Sequence, residues 1–186
     1  MEPSWWNLIP TYFDGIAFTI PLMNFPVHWY GVMCIFALVT AYFTMWKINS
    51  KENLGYTKEQ FDNLFMWAIA GILIGARLGY VFFYKPGYYL ANPLEIIIPL
   101  THDALGWHFT GIAGMSYHGG MILGTIFAII GMKRNKMDVW KTLNLSFLAA
   151  PLAYTWGRWG NFINGELFGE VTTSPIGMFF PLAHDS

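Results

Sequence analysis

The residues best suited to chemistry gather in one short stretch. From Gly157 the chain reads Gly157-Arg158-Trp159-Gly160-Asn161-Phe162-Ile163-Asn164-Gly165-Glu166-Leu167-Phe168-Gly169. An arginine, two amides and a carboxylate thus fall within nine residues. A guanidinium is a rigid fork of donors that matches a phosphate. Asn161 and Asn164 can donate to phosphate or ester oxygens. The interleaved glycines let a headgroup approach the backbone. Three further residues stand out by their surroundings. His118 is followed by Gly119 and Gly120, Arg77 lies inside an apolar run, and Tyr30 follows His28-Trp29 at the start of another. His118 reads as a functional histidine or as a satisfied interhelical one. Arg77 reads as a site cation or as a structural ion-pair partner, and Tyr30 as a site residue or an interface anchor.

The composition says what kind of molecule must position them. Of the 186 residues, 55% are hydrophobic and only 11% charged, against about 25% charged in soluble domains. Such a chain cannot build a polar coat. A formal net charge of -1 leaves no basic excess for nucleic acid. The single cysteine, Cys34, sits in an apolar run, which excludes an internal disulfide and suits a small buried hydrophobe, with a nucleophilic cysteine the alternative. No metal-ligand spacing is present, and neither metal nor cofactor is expected. A cleavable signal peptide opens on a positive segment, whereas the first cation here is Lys47.

A spanning helix needs about 20 largely apolar residues. The stretches 27–48, 64–84, 116–132 and 139–156 qualify. The expectation is an all-α polytopic membrane protein with at least four transmembrane helices, in one membrane domain. Residues 26–169 form its core and 170–186 begin an extracytoplasmic region. Residues 1–25 carry Trp5, Trp6, Tyr12, Phe13 and Phe18 but are broken by Pro10, Gly15 and Pro21, which suits an interfacial segment. The apolar patch 94–100 is too short to cross and reads as re-entrant or interfacial. Gly71, Gly75 and Gly79 recur at four-residue spacing, a pattern that permits close helix packing.

Cytoplasmic loops carry the excess of lysine and arginine. The two short loops hold Lys47, Lys51 and Lys58, and Lys133, Arg134, Lys136 and Lys141, while the long loop 85–115 holds only Lys85. Seven cations against one put both short loops inside. The N-terminus, the long loop and the stretch after the fourth helix then lie outside. His28 and Tyr30 open the first helix from that side, and His118 opens the third. Arg77 sits in the outer half of the second, and Arg158, Asn161, Asn164 and Glu166 follow the fourth as it emerges. Different helices thus bring polar residues to one depth, where an intramembrane charge costs at least about 2.5 kcal/mol at mid-helix.

Four motifs in order resemble the prolipoprotein diacylglyceryl transferase family. They are His28-Trp29-Tyr30-Gly31, Gly75-Ala76-Arg77-Leu78-Gly79-Tyr80, Gly114-Met115-Ser116-Tyr117-His118-Gly119-Gly120, and the stretch from Gly157 to Gly169. Together they cover the chain from about residue 20 to 180. The resemblance implies transfer of the diacylglyceryl group of phosphatidylglycerol to the lipobox cysteine thiol of a preprolipoprotein. A thioether forms and glycerol phosphate leaves, at the outer leaflet of the bacterial cytoplasmic membrane. Its partners would be that lipid, the lipobox peptide and the surrounding membrane lipids.

Alkyl transfer to sulfur needs a thiolate and cations at the leaving phosphate. The resemblance gives Arg158 as the main clamp, helped by Asn161 and Arg77. His118 is the candidate base on the thiol or a phosphate ligand, since histidine suits either role near neutral pH. Tyr30 would orient the headgroup or the histidine. Glu166 would hold Arg158 or Asn164, and Gly169 would serve the turn beside bound lipid. Two features depart from the family pattern. Asn144 stands where an Asp is common, fourteen residues before Arg158. The chain also stops soon after the signature, so a C-terminally truncated member is expected, without a second functional arginine. The competing readings are a phospholipid-binding or transport protein and a phospholipid hydrolase.

Overall fold

The computed structural model describes residues 4–21, 25–96, 100–103, 106–109 and 114–181. Residues 97–99 of the 94–100 patch, and 182–186, lie outside the described residues. A short 3-10 turn, Ile9–Tyr12, precedes strands β1 (Ile16–Ile20) and β2 (Phe25–His28). Helices α1 (Trp29–Lys51) and α2 (Lys58–Phe83) follow, then the short α3 (Pro86–Ala91) and a 3-10 turn, Pro93–Ile96. Strands β3 (Leu100–Asp103) and β4 (Gly106–Phe109) lead to α4 (Tyr117–Arg134) and α5 (Val139–Asn164).

The molecule is mainly helical but not all-α, because each strand pair forms a two-stranded antiparallel sheet. Pro10 and Pro21 exclude a continuous helix near the N-terminus, and Ile16, Phe18, Thr19 and Ile20 favour extended chain between them. Among the described residues, α1 and α2 are long and apolar enough to cross a membrane, with mean hydropathies of 1.6 and 1.7.

Helix ends differ from those expected of hydropathy alone. α2 starts at Lys58 rather than 64 because Thr57 and Gln60 form a capping box. Thr57 Oγ1 accepts from the Gln60 amide at 3.3 Å, and Gln60 Oε1 from the Thr57 amide at 2.9 Å. α5 runs eight residues past Trp156, to Asn164.

The chain divides into two compact units, one of Met1–Ile48 and Leu145–Ser186, the other of Asn49–Asn144. In the second unit α2 packs on α4 through glycine on both sides. Ideal Cβ atoms on Gly71, Gly75 and Gly79 would strike Phe127, the Gly119 carbonyl and the Gly119 Cα. On α4, Gly124 meets Ile72 and Gly131 meets Trp67. The four-residue spacing read from the sequence is therefore a close-packing stripe. In the first unit α1 and α5 meet at Trp156. Trp156 Nε1 donates to Thr40 Oγ1 at 2.8 Å, and its ring stacks on Phe36 at 5.2 Å.

Candidate active site

α5 carries the densest part of the site. Arg158, Asn161 and Asn164 lie in its last turns, not in a loop beyond it as the sequence suggested. The helix runs through both Gly157, which has open space around it, and Gly160, which packs against α1. A Cβ on Gly160 would lie 3.0 Å from Tyr30 Cδ2 and 3.3 Å from Met33 Cβ. Tyr30 is thereby seated beside the turn that holds Arg158. Its backbone is fixed from the other side by the hairpin, where His28 pairs with Ile16 and the Trp29 amide donates to the Gly15 carbonyl at 3.0 Å.

The end of α5 is set by Gly165, at φ +67°. The Gly165 amide donates to the Phe162 carbonyl at 3.1 Å, and the Glu166 amide to the Asn161 carbonyl at 2.8 Å. These two bonds make a Schellman cap, which needs a left-handed residue and is met most readily by glycine. The turn-forming glycine is thus Gly165, whereas Gly169 lies beyond it with nothing within 4 Å of an added Cβ. Beyond the cap the chain folds back, and Leu167 takes φ +50°. Its carbonyl accepts from Arg158 Nη2 at 3.4 Å, while Arg158 Nη1 donates to Asn161 Oδ1 at 3.4 Å. Asn161 is buried and Arg158 is exposed. Glu166 holds Asn164, not Arg158, accepting from Asn164 Nδ2 at 3.4 Å. Asn164 Oδ1 is buried and has no hydrogen bond from the described residues. Such an acceptor costs about 1–3 kcal/mol until a donor reaches it.

Arg158 and Glu166 open onto a cavity of about 330 Å³. Gly169 also lines it, and Phe162, Phe168, Met178 and Phe180 give it an apolar wall. That volume falls in the range of small-molecule sites, and the mix of apolar wall and few polar groups is typical of them.

Arg77 and His118 belong to the other unit. Arg77 Nε donates to the Ile96 carbonyl at 3.0 Å, Nη2 to the Glu95 carbonyl at 2.5 Å and Nη1 to the Gly114 carbonyl at 3.4 Å. Its guanidinium lies 5.1 Å from the Tyr89 ring centroid. Tyr88 donates to Glu95 Oε2 at 2.6 Å, and that bond holds its hydroxyl above the usual tyrosine range. Arg77 therefore braces two points of the long loop, residues 95–96 and Gly114. His118 is the second residue of α4 and is exposed. Ser116 caps α4 by accepting from the Gly119 amide at 3.3 Å, and its own amide donates to the Ala76 carbonyl at 2.8 Å. With Gly119 pressed on Gly75 and Gly79, the backbone under His118 has little freedom.

The family model for prolipoprotein diacylglyceryl transferase matches residues 16–186. This chain belongs to that family. Similar proteins named phosphatidylglycerol–prolipoprotein diacylglyceryl transferase occur in Chlorobaculum tepidum, at 41% identity over 97% of this chain, and Campylobacter curvus, at 40% over 98%. A third, in Campylobacter lari, is 38% identical over 95%. The chain spans 62%, 67% and 64% of the lengths of these three relatives. Family membership agrees with the four motifs. Motif reading missed the apolar wall and the Leu167 carbonyl, which come from residues with no charge or repeat to mark them.

Proposed function

We propose that this protein transfers the diacylglyceryl group of phosphatidylglycerol to the lipobox cysteine thiol of a preprolipoprotein. The substrate sulfur attacks the glyceryl carbon, the carbon–oxygen bond to phosphate breaks, and glycerol phosphate leaves. The observation that carries this reading is Arg158 at the mouth of an apolar cavity, inside the family signature. A cation beside an apolar wall suits a phosphate ester with acyl chains. Arg158 stabilises charge on the leaving phosphate, and Asn161, which it already contacts, adds a donor. Asn164, steadied by Glu166, offers a buried acceptor to a headgroup hydroxyl. Gly169 leaves room for the lipid beside Glu166. His118 takes the thiol proton, and Tyr30 orients the headgroup. Arg77 acts by bracing the long loop, because three of its donors are engaged by carbonyls.

The same reading includes four membrane crossings, by α1, α2, α4 and α5, in the bacterial cytoplasmic membrane. The basic loops lie inside, and the N-terminus and site lie outside. α4, of 18 residues, rises about 27 Å at 1.5 Å per residue, close to the hydrocarbon thickness.

The activity is tested with purified protein, phosphatidylglycerol vesicles and a lipobox peptide. A thioether-linked lipid on the peptide is expected, and His118→Asn is expected to lower its rate about 10²- to 10⁴-fold. Free diacylglycerol would instead make the protein a hydrolase, and unchanged lipid would leave binding or transport.

A further inference from the structure

Residues 4–12 precede the hairpin and hold none of the site residues described above. Asn7 nevertheless has its whole side-chain amide engaged. Its Oδ1 accepts from the Ser4 amide at 2.7 Å and from Ser4 Oγ at 2.8 Å. Its Nδ2 donates to the Gly177 carbonyl at 2.6 Å and to the Pro175 carbonyl at 3.0 Å. Its own carbonyl accepts from the Phe179 amide at 2.8 Å, and the neighbouring Trp6 Nε1 donates to the Ile176 carbonyl at 3.1 Å. An amide using both donors and its acceptor is held in one orientation.

The segment it holds is part of the site. Ile176, Met178 and Phe180 line the cavity beside Arg158. Phe180 stacks on Phe168 at 5.5 Å and meets Phe162 edge-on at 5.8 Å. Residues 171–180 contain no helix or strand, only a turn closed by the Gly177 amide on the Ser174 carbonyl at 3.0 Å. No ladder of backbone bonds runs along this wall, and the bonds from Trp6 and Asn7 tie its backbone at residues 175, 176, 177 and 179. We propose that Asn7 is a positioning residue that fixes the apolar wall of the Arg158 cavity and thereby sets how tightly the lipid substrate is held. The inference rests on the transferase reading above.

Asn7→Asp tests it, because it keeps the shape and the acceptor but removes both donors from the Pro175 and Gly177 carbonyls. With the full-length protein in detergent, Asn7→Asp is expected to raise KM for phosphatidylglycerol about tenfold, the scale of one to two lost hydrogen bonds. The turnover number and the KM for lipobox peptide are expected to stay within about twofold. Asn7→Gln, which retains the donors, is expected to recover most of the effect and shows that the site tolerates change. Amide hydrogen exchange over residues 174–180 gives a readout without catalysis, and it is expected to quicken in Asn7→Asp. Unchanged exchange would overturn the inference, as would faster exchange with an unchanged lipid KM. A wild-type protein that transfers no lipid would instead overturn the transferase reading, while exchange over the loop would still decide whether Asn7 holds it.

Discussion

Two arginines of equal charge sit in opposite situations, and the difference decides what each can do. Arg77 spends donors on three carbonyls and lies against a tyrosine ring. Arg158 is exposed, and both of its bonds measure 3.4 Å, near the long limit for a hydrogen bond. A phosphate oxygen at the usual charge-assisted distance would displace them with little loss. Arg158→Lys is therefore expected to cut lipid transfer about 10²- to 10³-fold with an unchanged melting temperature, since lysine lacks the planar fork. Arg77→Lys is expected to lower the melting temperature, because a point charge cannot reach three carbonyls and stack at once. Thermal melts and transfer rates on both variants check this. If Arg77→Lys lost activity as steeply as Arg158→Lys while melting normally, Arg77 would belong at the phosphate. From sequence, Arg158 is the main clamp, and Arg77 is either a second site cation or a structural partner. What separates them are carbonyls of residues 95, 96 and 114, and a carbonyl leaves no mark in a residue pattern.

Helices were legible in the sequence as apolar runs, but their ends were not. Hydropathy stops at Trp156, and Gly157 and Gly160 look like breakers, yet α5 runs past both to Asn164. What ends the helix is one conformational requirement at Gly165. The two glycines at positions 157 and 165 should therefore respond oppositely to the same change. Gly165→Ala forces a Cβ into the left-handed region and is expected to cost about 1–2 kcal/mol. Gly157→Ala meets open space in a helix interior and is expected to stabilise by about 0.5–1 kcal/mol. Gly165→Asn should fall between, because asparagine tolerates that conformation. Denaturant or thermal unfolding of the three variants measures the order. Equal effects at both positions would mean that the cap does not hold the turn carrying Asn161 and Asn164. The packing stripe Gly71, Gly75 and Gly79 was readable because it repeats. Its complement on α4, Gly119, Gly124 and Gly131, has no even spacing and emerges only in contact.

For the molecule as a whole, the open quantity is the number of crossings. α1 and α2 qualify by length and composition. A two-crossing arrangement with an outer N-terminus would leave α4 and α5 on the outer side, in water. That arrangement is costly, because Met121 and Ile122 on α4 are 51% and 54% exposed, and Phe147 and Leu148 on α5 are 72% and 60% exposed. Apolar surface on that scale is normally covered, and lipid would cover it. The lysine and arginine loop between α4 and α5 adds a second reason, since such loops stay inside. The two arrangements differ at one place, Lys133, which is inside with four crossings and outside with two. Single cysteines at Glu52, Asn92, Lys133 and Thr173, in a Cys34→Ser background, can be treated with a membrane-impermeant thiol reagent on intact spheroplasts. Four crossings predict labelling at Asn92→Cys and Thr173→Cys, and none at Glu52→Cys or Lys133→Cys until the membrane is opened. Labelling of Lys133→Cys from outside would remove α4 and α5 from the membrane.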